Sequence, residues 1–431
     1  MKQLKLLGQC LGMFLGTLAV LWLLLCLTAM IPNSAIQKNM LRSAENYTRL
    51  DAFEFTKPAQ LPSVADHYAD AILLNVAWNM GEGDPAEASI ATSYYDGEEL
   101  GENAGLYYTV TEGTAPNTDY TRYWHGTAGI IRLLSLVTDA EGIKTVGFVC
   151  FCLLITLNIL LLGRKKHWDI AVILLLSLAL VRVWNIRLSM EYQPCFLLFA
   201  ALLPLYLHLE RKGDRPLLLL CVLSGVATAF FDFLTTETVT ILLPVMVVTA
   251  VRVKEGRSIT LKSILFWGIA WAVSYAGAFL AKWTLASLIT GENAFTLALT
   301  SVGERFGGEL ENLAEQPKSF FSALLANLTM LFGGPRRVDG MRLILGLGIS
   351  LGVLFSLWYL LRKAKPRKGA AVLLLLPCAA LIARYLLLNN HSYLHCFFTH
   401  RAMVSMIFAA FMALWLNIEL PNRKKPQKRR K

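Results

Sequence analysis

Apolar residues run through this chain in long blocks separated by short polar connections, and the block length matches a bilayer, which a helix crosses with roughly 20 mostly apolar residues. The pattern predicts an all-α integral membrane protein with about ten spans, at 6–30, 145–163, 168–187, 194–209, 216–233, 237–252, 263–286, 341–361, 369–388 and 402–418. Lys2 and Lys5 ahead of the first block resemble the start of a secretory leader. That run has no small-residue cleavage site before Ile31-Pro32 and is long enough to span, so it reads as an anchor. Ser319 to Phe332 is apolar but too short for a span. It reads as a re-entrant or interfacial helix inside an outer region at about 287–340.

Composition agrees. With 431 residues, 55% hydrophobic, 16% charged and a mean hydropathy of +0.50, the chain has too few polar residues to clothe a soluble globule. The basic residues then set orientation. Arg164-Lys165-Lys166, Arg211-Lys212 with Arg215, the group Arg252, Lys254, Arg257 and Lys262, Arg362 to Lys368, and Arg423 to Lys431 occupy every second connection. These connections and both termini are therefore expected in the cytoplasm. The same alternation exports residues 32–144, which hold 16 acidic against 7 basic residues. The net charge of +11 is thus a topology signal, and the tail reads as an anchor with some attraction to anionic lipid, not as a contact for nucleic acid. The expected plan is an anchor at 1–31, an extracytoplasmic loop domain at 32–144, a bundle at 145–418 and a basic cytoplasmic tail at 419–431.

Ionisable groups at membrane depth are expensive and ordinarily face a bundle interior or a wet cavity. Here they gather at the outer ends of the spans: Arg182, Arg187, Glu191, Asp232, Glu237, Lys282, Arg384, His391, His395, His400 and Arg401. One outward-facing polar cavity would account for them. Arg182 and Arg187 also suit simple snorkelling to the headgroups. The histidines lack an acidic neighbour that would complete a metal site, and suit interfacial hydrogen bonding better. Of eight cysteines, six lie in apolar spans; Cys195 and Cys396 approach the outer face, where a disulfide is open to them. The chain contains no Walker loop, dinucleotide glycine fingerprint or Gly-x-Ser-x-Gly elbow.

Within the loop domain, Asp66 to Asn79 is expected to be helical, with Ala69, Ile72, Leu73, Val76 and Ala77 at three- and four-residue steps and Asp66 and Asp70 on one face. Residues 81–120, rich in Gly, Glu, Asp and Thr, read as irregular connection. The octapeptide Asp119 to Gly126 holds Arg122, Tyr123, Trp124 and His125. Such a set suits a sugar ring or a phosphate, and equally an interfacial aromatic belt.

Tyr-Thr-Arg-Tyr-Trp-His-Gly at 120–126 with Ile-Ile-Arg-Leu-Leu-Ser-Leu at 130–136, Phe-Asp-Phe-Leu-Thr-Thr-Glu-Thr at 231–238, and Asn-His-Ser-Tyr-Leu-His-Cys-Phe-Phe-Thr-His-Arg at 390–401 resemble an uncharacterised family of bacterial polytopic proteins of envelope-polysaccharide assembly. That family is similar to the GT-C membrane glycosyltransferases. The resemblance implies a multi-pass protein of the bacterial inner membrane. It implies transfer of a sugar from a polyprenyl-phosphate donor to an envelope glycan or lipid-linked acceptor on the extracytoplasmic side. It names no cofactor beyond that donor and leaves the need for a divalent metal open. A first-loop carboxylate would be the base: Asp70, in a helix similar to the family's first-loop helix, with Asp66 and Asp51 as alternatives. The adjacent pair of carboxylates usual in GT-C enzymes is missing here. Arg122, Lys282, Arg384 and Arg401 would hold phosphate, with Tyr123, Trp124, His125, Asp232, His391 and His395 around the sugar. Two other classes share these features: a flippase or transporter for a lipid-linked saccharide, and a non-catalytic envelope-assembly protein.

Overall fold

The computed structural model describes residues 2–55, 63–305, 319, 321–332, 348, 351–352, 355–356, 358–359 and 368–418. The first helix, α1 (Lys2–Ala29), leads into α2 (Asn33–Tyr47). A small domain follows, with β1 (Phe53–Phe55), β2 (Val64–Asp66), α3 (His67–Asn79), α4 (Pro85–Ala88), β3 (Ser93–Tyr94), α5 (Gly101–Glu112), β4 (Thr118–Asp119) and α6 (Gly126–Ser135). β1 pairs antiparallel with β2, and β3 with β4, in two separate ribbons. The bundle comprises α7 (Ala140–Arg164), α8 (Trp168–Leu180), α9 (Pro194–Leu209), α10 (Asp214–Phe231), α11 (Val239–Lys254) and α12 (Leu261–Thr290). It continues with α13 (Ala294–Arg305), α14 (Ser322–Met330), α15 (Lys368–Leu375), α16 (Cys378–Leu387), α17 (Asn389–Leu394), α18 (Cys396–Thr399) and α19 (Val404–Ile418).

Among the described residues six helical stretches are long and apolar enough to cross a membrane: Gln3–Ala29, Ala140–Arg164, Asp214–Phe231, Leu261–Thr290, Gly369–Leu387 and Cys396–Leu416. Their exposed faces are leucine, valine and phenylalanine, as at Leu4, Leu7, Leu11 and Leu15 of α1 and Leu265, Phe266, Ile269 and Val273 of α12. This is an α-helical membrane protein. The spans expected at 168–187, 194–209 and 237–252 are helices of 13, 16 and 16 residues, and the one expected at 341–361 falls mostly outside the described residues. α8 stops short because Arg182 turns left-handed, with φ 53°, and sends its guanidinium to the Met330 carbonyl. The segment at Ser319 to Phe332 holds the nine-residue α14, far below spanning length at 1.5 Å per residue. It docks instead on the 389–399 segment, where the Asn327 amide donates to the Ser392 carbonyl at 2.7 Å.

Local chemistry sets the helix starts. Asp139 accepts from Gly142 N–H at 3.0 Å at the head of α7, and Thr260 accepts from Ser263 N–H at 3.1 Å at the head of α12. Asp66 does the same for α3 through Ala69 N–H at 2.9 Å. Asp66 is therefore a cap outside the helix, and the shared face expected for Asp66 and Asp70 does not exist. Residues 81–120 are likewise not irregular throughout, since α5 occupies Gly101–Glu112. A glycine hides this helix: a β-carbon on Gly105 would sit 2.4 Å from the Tyr95 carbonyl oxygen and 2.8 Å from Gly97 N. Cys195 and Cys396 are unbridged.

Among the described residues two large apolar cores form. One fills the bundle around α11, whose residues from Val239 to Arg252 are all buried. The other joins Leu18 and Leu25 of α1 to Ile36, Leu74, Trp124, Phe230 and Ala278, so the small domain, the first helix, α10 and α12 share one interior. Arg132 of α6 is sealed inside this junction. Its guanidinium donates to the carbonyls of Thr28 at 3.0 Å and Ala77 at 2.5 Å, to Ile31, and to Asn33 Oδ1 at 2.9 Å. The open carbonyls where α1 and α3 end are thus satisfied by one cation.

Gly105→Ala should destabilise the protein by about 1–3 kcal/mol, because the new methyl meets fixed backbone. Gly8→Ala, where a β-carbon meets nothing within 4 Å, should leave the melting temperature in detergent unchanged or slightly higher. Equal melting of both variants would contradict the close α5 packing.

Candidate functional site

Asp70 lies in the first turn of α3, with 0% exposure. Oδ2 accepts the Tyr47 hydroxyl at 2.9 Å and faces Lys144 Nζ at 3.4 Å; Oδ1 accepts the Ser189 hydroxyl at 2.8 Å and Met190 N–H at 2.7 Å. One side chain thereby pins α2, α3, α7 and the turn before α9 to each other. Lys144 also pairs with Glu141 at 2.5 Å.

Three more acids surround this hub. Asp66 is held mainly by burial, with the like charge of Asp70 adding to it, at about 7, against the pull of the Ala69 N–H. Its second oxygen accepts no hydrogen bond from the described residues. Glu191 follows the turn held by Asp70. Burial, then the like charges of Asp66, Asp232 and Asp70, push its carboxyl well above the ordinary range, and Arg305 opposes them. Asp232 caps the turn after α10, accepting Thr235 N–H at 3.1 Å.

Cations and rings complete the group. Arg122 stacks 4.4 Å over Tyr120 and 5.5 Å from Tyr123, and Arg305 lies 5.8 Å from the Tyr123 ring. The Nε of each is buried without a partner. The His391 and His395 rings lie 4.7 Å apart, tilted at 47° to one another. Burial and neighbouring charge depress both, His395 to about 4, so they stand neutral at pH 7. Among the described residues no group of three His, Cys, Asp or Glu side chains is arranged to hold a metal ion.

Other expected site residues serve elsewhere. Trp124 is buried, stacked on Phe230 at 5.3 Å, and donates to the Ala278 carbonyl at 2.7 Å. Lys282 lies 5.6 Å over its ring and donates to the Ile90 carbonyl at 2.5 Å. His125 is buried with a left-handed φ of 54°. Trp124 and Lys282 thus tie the octapeptide to α12, and His125 packs against Tyr120 and Phe233. Arg384 is closed by Glu237 at 2.8 Å and by the Leu234 carbonyl at 2.6 Å. The side chain of Asp51 is exposed, and its carbonyl holds His67 Nδ1 at 2.8 Å. The structure thus gathers Asp66, Asp70, Asp232, Arg122, Tyr123, His391 and His395, and adds Arg305. Glu191 was visible in the sequence as an ionisable residue between apolar blocks. Nothing in Gly-Glu-Arg-Phe-Gly-Gly at 303–308 marks Arg305.

Two adjoining clefts, of about 580 and about 300 Å³, share Glu87, Thr92, Ser93 and Pro116 and run along the small domain to α12 and α13. Thr121, which precedes Arg122 in the chain, lines the larger one.

Fold and cluster together define an α-helical membrane protein whose bundle carries, at the end joined to the small domain, a buried group of acids, guanidiniums and neutral histidines. In comparisons with known proteins, the chain matches no family model, no curated protein and no solved structure.

Asp70→Asn should lower stability by about 3 kcal/mol, because it strips a buried ion pair of one partner. Glu191→Gln should do the reverse. Its folded carboxyl holds a proton that the unfolded one releases above about 4.5, so wild-type stability falls as pH rises beyond that value. The melting-temperature advantage of Glu191→Gln should therefore widen between pH 5 and pH 8. A constant or negative difference would contradict the crowding of acids around Glu191.

Proposed function

We propose that the protein is a membrane glycosyltransferase of GT-C type, with the small domain and the charge cluster outside a bacterial inner membrane and both termini inside. It would move a sugar from a polyprenyl-phosphate donor to an envelope glycan or lipid-linked acceptor. The observation that carries this reading is a carboxyl poised near neutrality, Asp66, in one cluster with guanidiniums that have unpartnered N–H groups. The reaction needs a base for the acceptor hydroxyl and fixed positive charge for a phosphate leaving group, both protected from water.

In the proposed step Asp66 takes the hydroxyl proton as the acceptor oxygen bonds to the anomeric carbon. The anomeric carbon–oxygen bond to phosphate breaks, and its electron pair leaves on the phosphate. Asp66 replaces Asp70 as base because Asp70 is fully engaged as an acceptor. Asp70 is a positioning residue that also raises Asp66 through its charge. Of the cations expected to hold phosphate, Lys282 and Arg384 are committed to protein oxygens. Arg122 and Arg401 keep unpartnered N–H groups, which favours these two. Tyr123, His391 and His395 supply neutral hydrogen bonding around the sugar, and Asp232 an acceptor.

Purified protein given a panel of polyprenyl-phosphate sugars and acceptors should transfer sugar at a rate that rises with pH through about 7, since the base works deprotonated. Asp66→Asn should lose at least about 10²-fold in turnover and flatten that limb, while Asp51→Asn stays near wild type. Full activity in Asp66→Asn would remove the assignment of the base. Movement of donor across vesicles without transfer would make the protein a carrier instead.

A further inference from the structure

The Tyr192 ring also borders a set of buried cations. Arg401, 1% exposed at the head of the last apolar stretch, rests 4.7 Å from that ring, and its Nε and Nη1 have no partner. Arg182, 7% exposed, donates through Nη2 to the Met330 carbonyl at 2.6 Å, and its Nη1 has none. His400, 2% exposed, engages the Cys396 carbonyl through Nδ1 at 2.9 Å and leaves Nε2 unpartnered. Arg182 acts as a like charge on both Arg401 and His400. Among the described residues no carboxylate is ion-paired with either arginine; Arg252, Lys144 and Arg384, also buried, are closed by Asp214, Asp70 and Glu237. The Tyr192 hydroxyl, donated to the Val64 carbonyl at 3.3 Å, supplies no counter-charge.

Two buried guanidiniums without a counterion cost several kcal/mol each in desolvation, a cost that persists where a function repays it. The open donors are the fork of an arginine, whose planar N–H groups match two oxygens of a tetrahedral oxyanion. Arg182 also follows directly on Val172, Leu176 and Leu180, the exposed apolar stripe of α8, with Trp184 exposed just beyond. The cations therefore stand at the end of a helix face fit for a lipid chain.

We propose that Arg182 and Arg401 form a seat for a phosphoryl group, with the two guanidiniums binding its oxygens and the neutral His400 ring beside them adding no competing anion. This deepens the transferase reading by placing the donor's phosphate against the Tyr192 ring, which Arg401 touches. The seat itself rests on the unpaired guanidiniums alone.

The test uses the full chain in detergent, titrated calorimetrically with a polyprenyl monophosphate, the matching polyprenol and inorganic phosphate. The monophosphate should bind at least about tenfold more tightly than the alcohol, and Arg182→Gln and Arg401→Gln should each remove that margin. Both unliganded variants should melt no lower than wild type, since each discards an unpaired charge. If one fails to fold, the other and Arg401→Lys, expected to bind more weakly, carry the measurement. Inorganic phosphate binding as tightly as the monophosphate would assign the seat to a free oxyanion; preference for the monophosphate would assign it to a lipid headgroup. Equal affinity for monophosphate and alcohol, or unchanged affinity in both folded glutamine variants, would overturn the seat. Phosphate binding without sugar transfer would leave the seat and remove only the transferase reading.

Discussion

Everything at the small-domain end of this molecule depends on the contact between Asp70 and Lys144. A lone charge in that interior would be prohibitively costly, and the pair is tolerable only because Tyr47, Ser189 and the Met190 N–H saturate the remaining acceptor sites. The requirement for full saturation is what fixes α2, α3, α7 and the 189–190 turn relative to one another. Asp66 and Glu191 flank that fixed point in sequence, and they inherit both their position and the charge that perturbs them.

Arg132 solves a related problem at the other end of α3. The chain leaves α1 and ends α3 in nearly the same place, which leaves carbonyls inside an apolar core where water is excluded. One guanidinium answers several of them. Buried charge in this protein thus falls into two kinds. Arg132, Lys144, Arg252 and Arg384 are matched within the chain and hold it together, whereas Arg122, Arg182, Arg305 and Arg401 keep buried N–H groups without partners.

The sequence disclosed what depends on composition and period. Long apolar blocks announced a membrane protein, and a run such as Ala69, Ile72, Leu73 and Val76 announced α3. It concealed what depends on contact. α5 has no apolar stripe, because it packs through Gly105 against backbone. α8 looked longer than it is, since the apolar pattern runs past Leu180 and does not report the turn that Arg182 makes to reach Met330. Among site residues, charge at membrane depth identified Glu191, Asp232, His391, His395 and Arg401 as worth notice. Whether a given cation is already spoken for, as Lys282 is by Ile90 and Arg384 by Glu237, is a matter of tertiary distance that no spacing encodes. Trp124 illustrates the same limit, for an aromatic-rich peptide reads identically whether it faces sugar, lipid or its own core.

The hydrogen bond from Trp124 to the Ala278 carbonyl joins residues 154 positions apart. The small domain shares its interior with α10 and α12, so its core stays open until that later stretch of chain exists. At synthesis rates of about 5–20 residues per second, the wait is roughly 8–30 s. For that time Trp124, Phe230 and the leucines of α1 have no finished partner surface. The half-built domain is then at its most vulnerable to proteases and to mispairing, and a companion that shelters it has its only window before α12 arrives.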